Sequence, residues 1–303
     1  MTAKAEKLKR LLKEDRPLVF AGVYDALSAR IAEDAGMDGL WVSGYAVAAT
    51  FLGKPDVGLV TLSEMAGIVA RICDAVDIPV VCDGECGYGN AMNVIRTVKE
   101  FIRAGAAGMQ LDDKEQEICP FLDLPIKLLK PSEAALKMKA VEAARKDEEF
   151  LLIANTEHDL NRAELYCDAG ASAVLFHWGN IIGKDAEPAW VDALKKVRAK
   201  GAAPVAVQVP FIDQIGKDEL YRHGFKIVVP AVDNLYATAA VERDLWQHYK
   251  RVGSSDGFRP MITKQAEFLP MIDEAGTRAA VNAFITGDAN ASTVPKRRAG
   301  ARK

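Results

Sequence analysis

Acidic side chains stand directly after three apolar stretches of the chain, as Asp83 and Glu85, as the adjacent pair Asp112 and Asp113, and as Glu157. Asp83 and Glu85 are two residues apart on a predicted strand, so their side chains share one face. Mg²⁺ prefers oxygen ligands and retains several waters, so these two carboxylates with Asp112 or Asp113 predict a sparse magnesium site. Adjacent residues of a strand point to opposite faces, and one member of the aspartate pair is therefore structural.

The same acids have a plainer interpretation, in which they cap helix N-termini or pair with Lys114. Other polar groups also follow apolar stretches. Backbone N–H groups at Ser43, Gly44 and Tyr45 could hold a substrate carboxylate, because exposed amides at a strand-to-helix turn bind anions. An ordinary glycine turn is the alternative there. His177 also ends an apolar stretch, where it either faces the site or is a buried structural group.

Cys119 lies in the polar segment 115–124 that follows the aspartate pair. A flexible lid in this place could present the thiol as a nucleophile or an acid. A buried, inert thiol is the alternative, because cysteine is among the residues most often found in the interior.

Eight short apolar runs alternate with longer segments of helical periodicity, a rhythm that indicates βα units. The runs are nearly continuously apolar, as in parallel strands buried on both faces. They span 18–23, 39–44, 78–85, 107–113, 150–157, 172–179, 203–210 and 226–231. Eight strands predict a (β/α)8 TIM barrel rather than a doubly wound sheet, and functional groups of such a barrel lie at the C-terminal ends of the strands.

The predicted division of the chain is an N-terminal helix at 1–17, the barrel at 18–251, a C-terminal helical extension at 252–288 and a basic disordered tail at 289–303. Helical patterns at 234–251 and 264–286 exceed what the eighth βα unit needs. An extra terminal helix of this kind often packs on a neighbouring subunit, so a homo-oligomer is expected.

The 303 residues include 39 basic and 42 acidic side chains, a net charge of −3 that gives no general attraction to nucleic acid or to an anionic membrane. No apolar run reaches the ~20 residues that cross a bilayer, and the N-terminus lacks the apolar core of a signal peptide. The five cysteines have no zinc-site spacing, which favours a reducing cytoplasm. Small molecules are the expected partners.

Four motifs together resemble the phosphoenolpyruvate mutase/isocitrate lyase superfamily, collinearly from about residue 19 to residue 244. They are GVYDALSAR at 22–30, WVSG at 41–44, DGECGYGN at 83–90 and DDK at 112–114. The resemblance implies a (β/α)8 barrel with a terminal helix swapped between subunits, commonly a homodimer or homotetramer. It also implies that the barrel binds Mg²⁺ and a 2-oxo or enol carboxylate.

Carried over by position, the resemblance makes Asp83, Glu85 and Asp112 the metal ligands and Asp56 an acid near the metal. Substrate would be held by Trp41, Ser43, Gly44, Tyr45, Asp83, Asn155 and His177, and the candidate catalytic groups are Asp56, Glu157 and His177, together with Cys119 from the loop after the DDK motif. The histidine of the mutase and phosphonopyruvate hydrolase branches aligns with His177, which favours the phosphonate side of the superfamily.

Two departures from the family pattern bear on the reaction. The loop after the DDK motif lacks the Asn-Ser pair with which the mutases handle the phosphoryl group, and reads EQEICPF at 115–121. In addition, Asn155 replaces the family arginine that grips the phosphonate or distal carboxylate, a loss of charge-assisted hydrogen bonds worth ~1.5 to 3 kcal/mol each.

Three functions are consistent with these residues. The first is mutase-like C–P bond chemistry on phosphoenolpyruvate or phosphonopyruvate through an enolate. The second is a C–C lyase or decarboxylase of a 2-oxo or 2-hydroxy diacid, with Cys119, Glu157 or His158 as acid or base. The third is a metabolite-binding barrel without catalysis.

Overall fold

In a computed structural model the chain folds into a closed barrel of eight parallel strands in sequential order. The structure describes residues 3–120, 122, 124–145, 148–155, 159, 161–177, 187–211 and 213–285. The strands are β1 Leu18–Val23, β2 Gly39–Val42, β3 Val80–Asp83, β4 Gly108–Asp112, β5 Leu151–Asn155, β6 Ala173–His177, β7 Ala203–Gln208 and β8 Ile227–Pro230. The predicted (β/α)8 barrel is confirmed.

Helices surround the barrel and begin where the sequence supplies caps. Asp25, Thr61 and Asn90 each accept a hydrogen bond from the backbone of the first helical turn and form capping boxes. The helices are Ala3–Leu12, Ala26–Asp34, Gly44–Val47, Leu62–Ala75, Ala91–Arg103, Pro131–Arg145, Arg162–Asp168, Glu187–Ala199, Lys217–His223, Asp233–Val252, Gln265–Met271 and Glu274–Phe284, with a π-helical turn at Ala48–Leu52 and a 3₁₀ helix at Asp256–Met261.

After the barrel, the structure has two helices in place of the single helix predicted at 264–286. Asp273 adopts a left-handed conformation with φ 54° and separates the helices Gln265–Met271 and Glu274–Phe284. The first of these contacts the helix Ala26–Asp34 on the barrel flank. The basic tail predicted at 289–303 lies outside the described residues, and the domain boundaries remain predictions.

Successive side chains of each strand point alternately into the barrel and outward, and they form two apolar layers. Phe20, Trp41 and Val81 fill the barrel interior, whereas Leu40 and Cys82 pack outward beneath the helices. Because Cys82 faces outward, Asp83 faces the barrel axis at the C-terminal end. No helix among the described residues combines the length and apolar character needed to span a bilayer.

Candidate active site

A cavity of about 60 Å³ occupies the C-terminal mouth of the barrel and gathers nine of the predicted site residues. Its wall includes side chains from seven of the eight strand ends or the loops that follow them. The predicted residues in that wall are Trp41, Ser43, Tyr45, Asp56, Asp83, Asp112, Cys119, Asn155 and His177. Gly44 and Glu85 lie beside the cavity, and Glu157 lies outside the described residues.

Asp83 and Glu85 converge on Gly44 by a route other than a shared strand face. β3 ends at Asp83, and Glu85 adopts a left-handed conformation with φ 51°, which is uncommon for a residue with a side chain. The Glu85 amide donates to Asp83 Oδ1 at 2.9 Å, and the Gly44 amide donates to Asp83 Oδ2 at 3.3 Å. The extended geometry predicted for 83–85 is therefore wrong, yet the two carboxylates remain neighbours.

The close approach of Asp83 and Glu85 to the β2 turn requires a glycine at position 44. A Cβ placed there would lie 2.3 Å from Glu85 Oε1 and 3.0 Å from Asp83 Oδ2. The absence of a side chain at position 44 thus lets two carboxylates come close to the backbone of the β2 turn.

A second grouping links Glu85 to Asp56 and Glu117. One carboxylate oxygen from each of these three residues lies within 4.8 Å of the other two, a spacing that could hold a metal ion. Oxygen donors in this number suit a hard cation such as Mg²⁺. Glu117 comes from the loop after β4 and was not predicted from the sequence.

The carboxyl groups raise one another's pKa. Burial raises the pKa of Asp83 well above its usual value, and the Asp112 charge raises it further. Burial and the Asp83 charge act in the same way on the pKa of Glu85. Burial, with the Glu117 charge, raises the pKa of Asp56 to about 6. Each shift records a cost of keeping negative charges together away from water, which a bound cation would relieve.

Asp112 is held by three partners in the barrel interior. Lys114 Nζ lies 2.6 Å from Asp112 Oδ2 and 2.6 Å from Glu117 Oε1, and both pairs are buried. Gln110 Nε2 donates to Asp112 Oδ1 at 2.6 Å, and Asn155 Nδ2 donates to the same atom at 2.9 Å. Asn155 Oδ1 is buried without a hydrogen-bond partner in the described structure, so this amide retains an acceptor for a ligand.

Cys86 connects the acidic group to the helix Pro131–Arg145. Its thiol donates to Glu117 Oε2 at 3.1 Å, and its carbonyl accepts from Lys137 Nζ at 2.7 Å. Lys137 is only 9% exposed, and burial lowers its pKa. A buried ammonium group therefore lies behind the acidic wall and fixes the backbone between Glu85 and the helix.

Asp113 is the structural member of the aspartate pair. Its Oδ2 accepts from Tyr166 at 2.6 Å and from Arg162 at 3.1 Å, away from the cavity. This division of roles between Asp112 and Asp113 agrees with the alternation expected for adjacent strand residues.

The loop after β4 folds back over the cavity. Its two ends pair as Leu129 N to Asp113 O at 2.8 Å and Glu115 N to Lys127 O at 2.8 Å. At its tip the Cys119 amide donates to Asp56 O at 3.1 Å, and the Cys119 side chain is 4% exposed in the cavity wall. The thiol is thus buried, as in the inert alternative, but adjacent to the acidic group.

Ser43 and Tyr45 form the turn that follows β2. Ser43 Oγ accepts from the Ala46 amide and caps the helix Gly44–Val47. Since the Gly44 amide is engaged by Asp83, the predicted carboxylate cradle at 43–45 has one fewer donor than the sequence suggested. The Tyr45 hydroxyl lies 3.0 Å from that of Tyr236 on the helix Asp233–Val252.

Sequence reasoning missed Gln110, Glu117 and Lys137. Gln110 and Asp112 are two residues apart on β4, so the inward face of the strand could have revealed Gln110. Glu117 depends on the path of a loop, and Lys137 lies in an ordinary helical pattern. Neither carries a sequence signal for its place in the site.

The fold and this constellation match a known family. The family model for phosphoenolpyruvate phosphomutase matches residues 8–249. A relative from Arabidopsis thaliana, the chloroplastic carboxyvinyl-carboxyphosphonate phosphorylmutase, is 33% identical over 88% of this chain and 80% of its own. The chain therefore belongs to the phosphoenolpyruvate phosphomutase family, within the phosphoenolpyruvate mutase/isocitrate lyase superfamily.

Other relatives carry out different reactions. The 2,3-dimethylmalate lyase of Eubacterium barkeri is 26% identical over 93% of this chain and 99% of its own. Among solved structures, the phosphoenolpyruvate phosphomutase of Streptomyces platensis subsp. rosaceus has a TM-score of 0.84 at 28% identity, covering 93% of this chain and 99% of that one. A phosphonopyruvate hydrolase in complex with oxalate and Mg²⁺ has a TM-score of 0.80 at 25% identity, covering 94% and 100%. The chain is an enzyme of a superfamily whose mutases and lyases act on small carboxylates.

Proposed function

We propose that the protein is a Mg²⁺-dependent enzyme that acts on a small 2-oxo or enol carboxylate through an enolate. One observation carries this proposal, the excess of carboxyl groups over cations at the barrel mouth. Asp83, Asp112, Asp56 and Glu117 line the cavity with Lys114 as their one ammonium partner among the described lining residues, and Glu85 adjoins them. A buried charge excess of this kind calls for a divalent counter-ion.

Glu85 would hold the cation together with Asp56 and Glu117 on one side and Asp83 on the other, with Asp112 acting through its hydrogen-bonded network. Bound Mg²⁺ supplies positive charge against the oxygens of an enolate. This assignment keeps the predicted ligands Asp83 and Glu85, gives Asp112 a supporting role and adds Asp56 and Glu117 as ligands.

The chain's own residues would orient the substrate. Ser43 and Tyr45 line the cavity at the β2 turn and would hold one carboxylate. Trp41 forms an apolar surface beneath a planar enolate, while Asn155 and His177 can hydrogen-bond its other end. Cys119 lines the same cavity and is a proposed acid or base, as is Glu157, whereas Asp56 would act at the metal.

C–P bond chemistry is the first candidate for the reaction. The similarity to a phosphorylmutase, a phosphomutase and a phosphonopyruvate hydrolase supports it, as does His177 at the end of β6. The substrate would then be phosphoenolpyruvate or phosphonopyruvate, and the bond at C3 would be C–P.

Cleavage of a C–C bond in a 2-oxo or 2-hydroxy acid is the second candidate. A specific observation favours it: Asn155 is neutral, and Lys114, the single lysine or arginine among the described lining residues, is already paired with two carboxylates. A phosphonate dianion would find little positive charge beyond the metal. Similarity to 2,3-dimethylmalate lyase is compatible with this reaction.

The test is ³¹P NMR of the purified protein with Mg²⁺ and phosphonopyruvate, with the Asp83→Asn variant as the matched control. Growth of a phosphate ester supports mutase chemistry, and growth of free phosphate supports hydrolysis. An unchanged spectrum, together with pyruvate release from oxaloacetate or a substituted malate by wild type alone, supports C–C cleavage. If neither substrate class reacts with Mg²⁺ bound, the proposed function is wrong. A homodimer or homotetramer and a cytoplasmic location remain predictions.

A further inference from the structure

Asn155 and Asp112 lie side by side in the cavity wall. The strand register pairs Asp112 of β4 directly with Asn155 of β5, and Asn155 is only 2% exposed. Asn155 Nδ2 donates to Asp112 Oδ1 at 2.9 Å. No group in the described parts of the chain donates to Asn155 Oδ1, although this atom is buried. A buried acceptor without a donor is unfavourable, so this oxygen is suited to a donor on a ligand.

The neighbours of Asp112 fix which way this amide points. Rotation of an asparagine amide by half a turn exchanges its oxygen and its nitrogen, and the hydrogen-bond network decides between the two positions. Asp112 Oδ1 also accepts from Gln110 Nε2 at 2.6 Å, and Asp112 Oδ2 lies 2.6 Å from Lys114 Nζ. An exchanged amide would place Asn155 Oδ1 against a carboxylate oxygen, which is also an acceptor. The Nδ2 group therefore faces Asp112, and Oδ1 faces away from it.

An anionic group would gain little beside Asn155 Oδ1. Lys114 is the only lysine or arginine among the described residues that line the cavity. Its ammonium group has three N–H bonds, and Nζ lies 2.6 Å from Asp112 Oδ2, 2.6 Å from Glu117 Oε1 and 3.1 Å from the Ile118 carbonyl oxygen. A carboxylate or phosphonate oxygen beside Asn155 would thus meet a second acceptor and would not be offered a proton by Lys114.

The ends of β7 and β8 offer no polar side chain among the described lining residues. Val207 and Val209 come from the end of β7, Ala231 and Val232 follow β8, and all four are buried. A hydroxyl group directed at them would lose its hydration without gaining an acceptor. A hydroxyl group is therefore better placed on the β5 side of the mouth, against Asn155.

A hydroxyl group fits the Asn155 oxygen in both charge and hydrogen-bond character. It is neutral, it has one proton to donate, and its oxygen keeps lone pairs that can face a cation. A 2-oxo oxygen has the lone pairs but no proton to donate. The substituent on C2 of a bound acid therefore decides whether Asn155 Oδ1 receives a hydrogen bond.

We propose that Asn155 is a specificity-determining residue whose Oδ1 accepts a hydrogen bond from the C2 hydroxyl group of a 2-hydroxy diacid. The inference rests on the proposed function and assigns a substrate class to its C–C cleavage alternative. The carboxylate attached to C3 remains at the β2 turn, where Ser43 and Tyr45 would hold it. Where the family pattern has an arginine for an anion, this chain has an acceptor for a proton.

Titration calorimetry with Mg²⁺ present compares three diacids that differ only at C2: malate, succinate and 2-fluorosuccinate. Malate carries a hydroxyl group there, succinate a hydrogen atom, and 2-fluorosuccinate an electronegative atom that cannot donate. The enantiomers of malate and of 2-fluorosuccinate are titrated separately, because Oδ1 lies on one side of the bound acid. We expect one malate enantiomer to bind about tenfold tighter than succinate and than either 2-fluorosuccinate.

Two variants at position 155 test whether the amide oxygen is responsible. Asn155→Ala removes Oδ1, so malate and succinate should bind it equally. Asn155→Arg replaces the acceptor with donors, so it should also lose the preference for malate and should bind phosphonopyruvate more tightly than wild type does. Asn282→Ala, at an exposed position of the helix Glu274–Phe284, is the matched control and should keep the wild-type preference.

The melting temperature and the Mg²⁺ affinity are measured for each variant. Loss of the hydrogen bond from Asn155 Nδ2 to Asp112 would weaken the binding of all three diacids equally and would leave their ratio unchanged. The ratio of malate to succinate affinity therefore reports on Oδ1 and not on a general disturbance of the acidic wall.

The outcomes separate the inference from the function beneath it. If the three diacids bind wild type equally, or if Asn155→Ala keeps the preference for malate, the proposed function stands and the role of Asn155 is overturned. The same holds if no diacid binds but phosphonopyruvate or oxalate does. If none of these acids binds in the presence of Mg²⁺, the proposed function is wrong and the inference is overturned with it.

Discussion

The two walls of the barrel mouth have opposite effects on folding, although both are built from inward-facing residues at strand ends. The wall from β3 and β4 crowds carboxyl groups until the pKa values of Asp83 and Glu85 rise, so it opposes folding in the absence of a cation. The wall from β7 and β8 buries Val207 and Val209 and favours folding. Negative charge is therefore concentrated on the wall to which we assign the proposed cation.

A glycine sets the backbone of each wall. Gly44 admits the Glu85 and Asp83 carboxylates on the acidic side. Gly22 has the same role on the apolar side, because a Cβ there would lie 1.9 Å from Ala231 O. In both walls other atoms lie close to the backbone of a glycine, but only at Gly44 are those atoms carboxylate oxygens.

Asp83→Asn should have the largest effect on Mg²⁺ binding by the wall from β3 and β4. Loss of one carboxylate removes a metal ligand, so Mg²⁺ affinity should fall by about 100-fold or more. Titration calorimetry with Mg²⁺ measures this loss, and turnover should disappear with it. The melting temperature in metal-free buffer should stay equal or rise, because a buried negative charge is removed. Normal Mg²⁺ affinity or normal turnover in this variant would remove Asp83 from the site.

Gly44→Ala tests the close approach of the two carboxylates. The added methyl group would overlap Glu85 Oε1, so the glutamate must move, and Mg²⁺ affinity should drop by roughly 10- to 100-fold. Gly216→Ala is the matched control, since nothing lies within 4 Å of a Cβ there and its φ is −64°. Equal Mg²⁺ affinity in the two variants would show that the backbone of the β2 turn does not set the position of Glu85.

Lys137→Met tests the buried ammonium behind the acidic wall. Loss of its hydrogen bond to Cys86 O should loosen the backbone after Glu85 and weaken Mg²⁺ binding by about 10-fold. Lys139→Met, two residues on and exposed, should leave Mg²⁺ affinity unchanged. Partial recovery by Lys137→Arg would distinguish positioning from a general loss of stability, whereas equal affinity in the Met, Arg and wild-type proteins would refute the positioning role.

The effect of pH on stability should be smaller than the effects above and should differ between the metal-free and the Mg²⁺-bound protein. The pKa of Asp56 is raised to about 6 in the folded chain, above the ~3.9 of an unfolded aspartate. Its contribution to stability is therefore present below pH ~4 and is lost as the pH rises through about 6. Mg²⁺ binds the ionised form, so the melting-temperature increase on adding Mg²⁺ should be a few degrees larger at pH 7.5 than at pH 5. A larger increase at pH 5 would contradict this assignment, and Asp56→Asn should reduce the difference.

Periodicity alone predicted the eight strands and the rim on which they end, because parallel strands buried on both faces leave a clear apolar signal. The same reasoning placed Asp83, Asp112 and Asn155 together, since strand ends of one barrel must meet. Alternation also predicted that one of Asp112 and Asp113 is structural, without indicating which.

Contacts that depend on irregular backbone could not be predicted in this way. Glu85 reaches Gly44 through a left-handed residue, a conformation that no local rule assigns to glutamate. Glu117 joins the site only because its loop folds back onto the turn at Asp56. Tyr236 meets Tyr45 across 191 positions of sequence, so a pattern confined to one segment carries no trace of the pair.

The most direct test of the central claim is the binding of oxalate, whose adjacent carboxylate oxygens resemble those of a 2-oxo acid enolate, measured by titration calorimetry with and without Mg²⁺. We predict that oxalate binds to wild type only when Mg²⁺ is present, and that it does not bind to Asp83→Asn under either condition. Oxalate that binds wild type equally well without Mg²⁺ would contradict the claim that the acidic wall gathers charge in order to hold a metal.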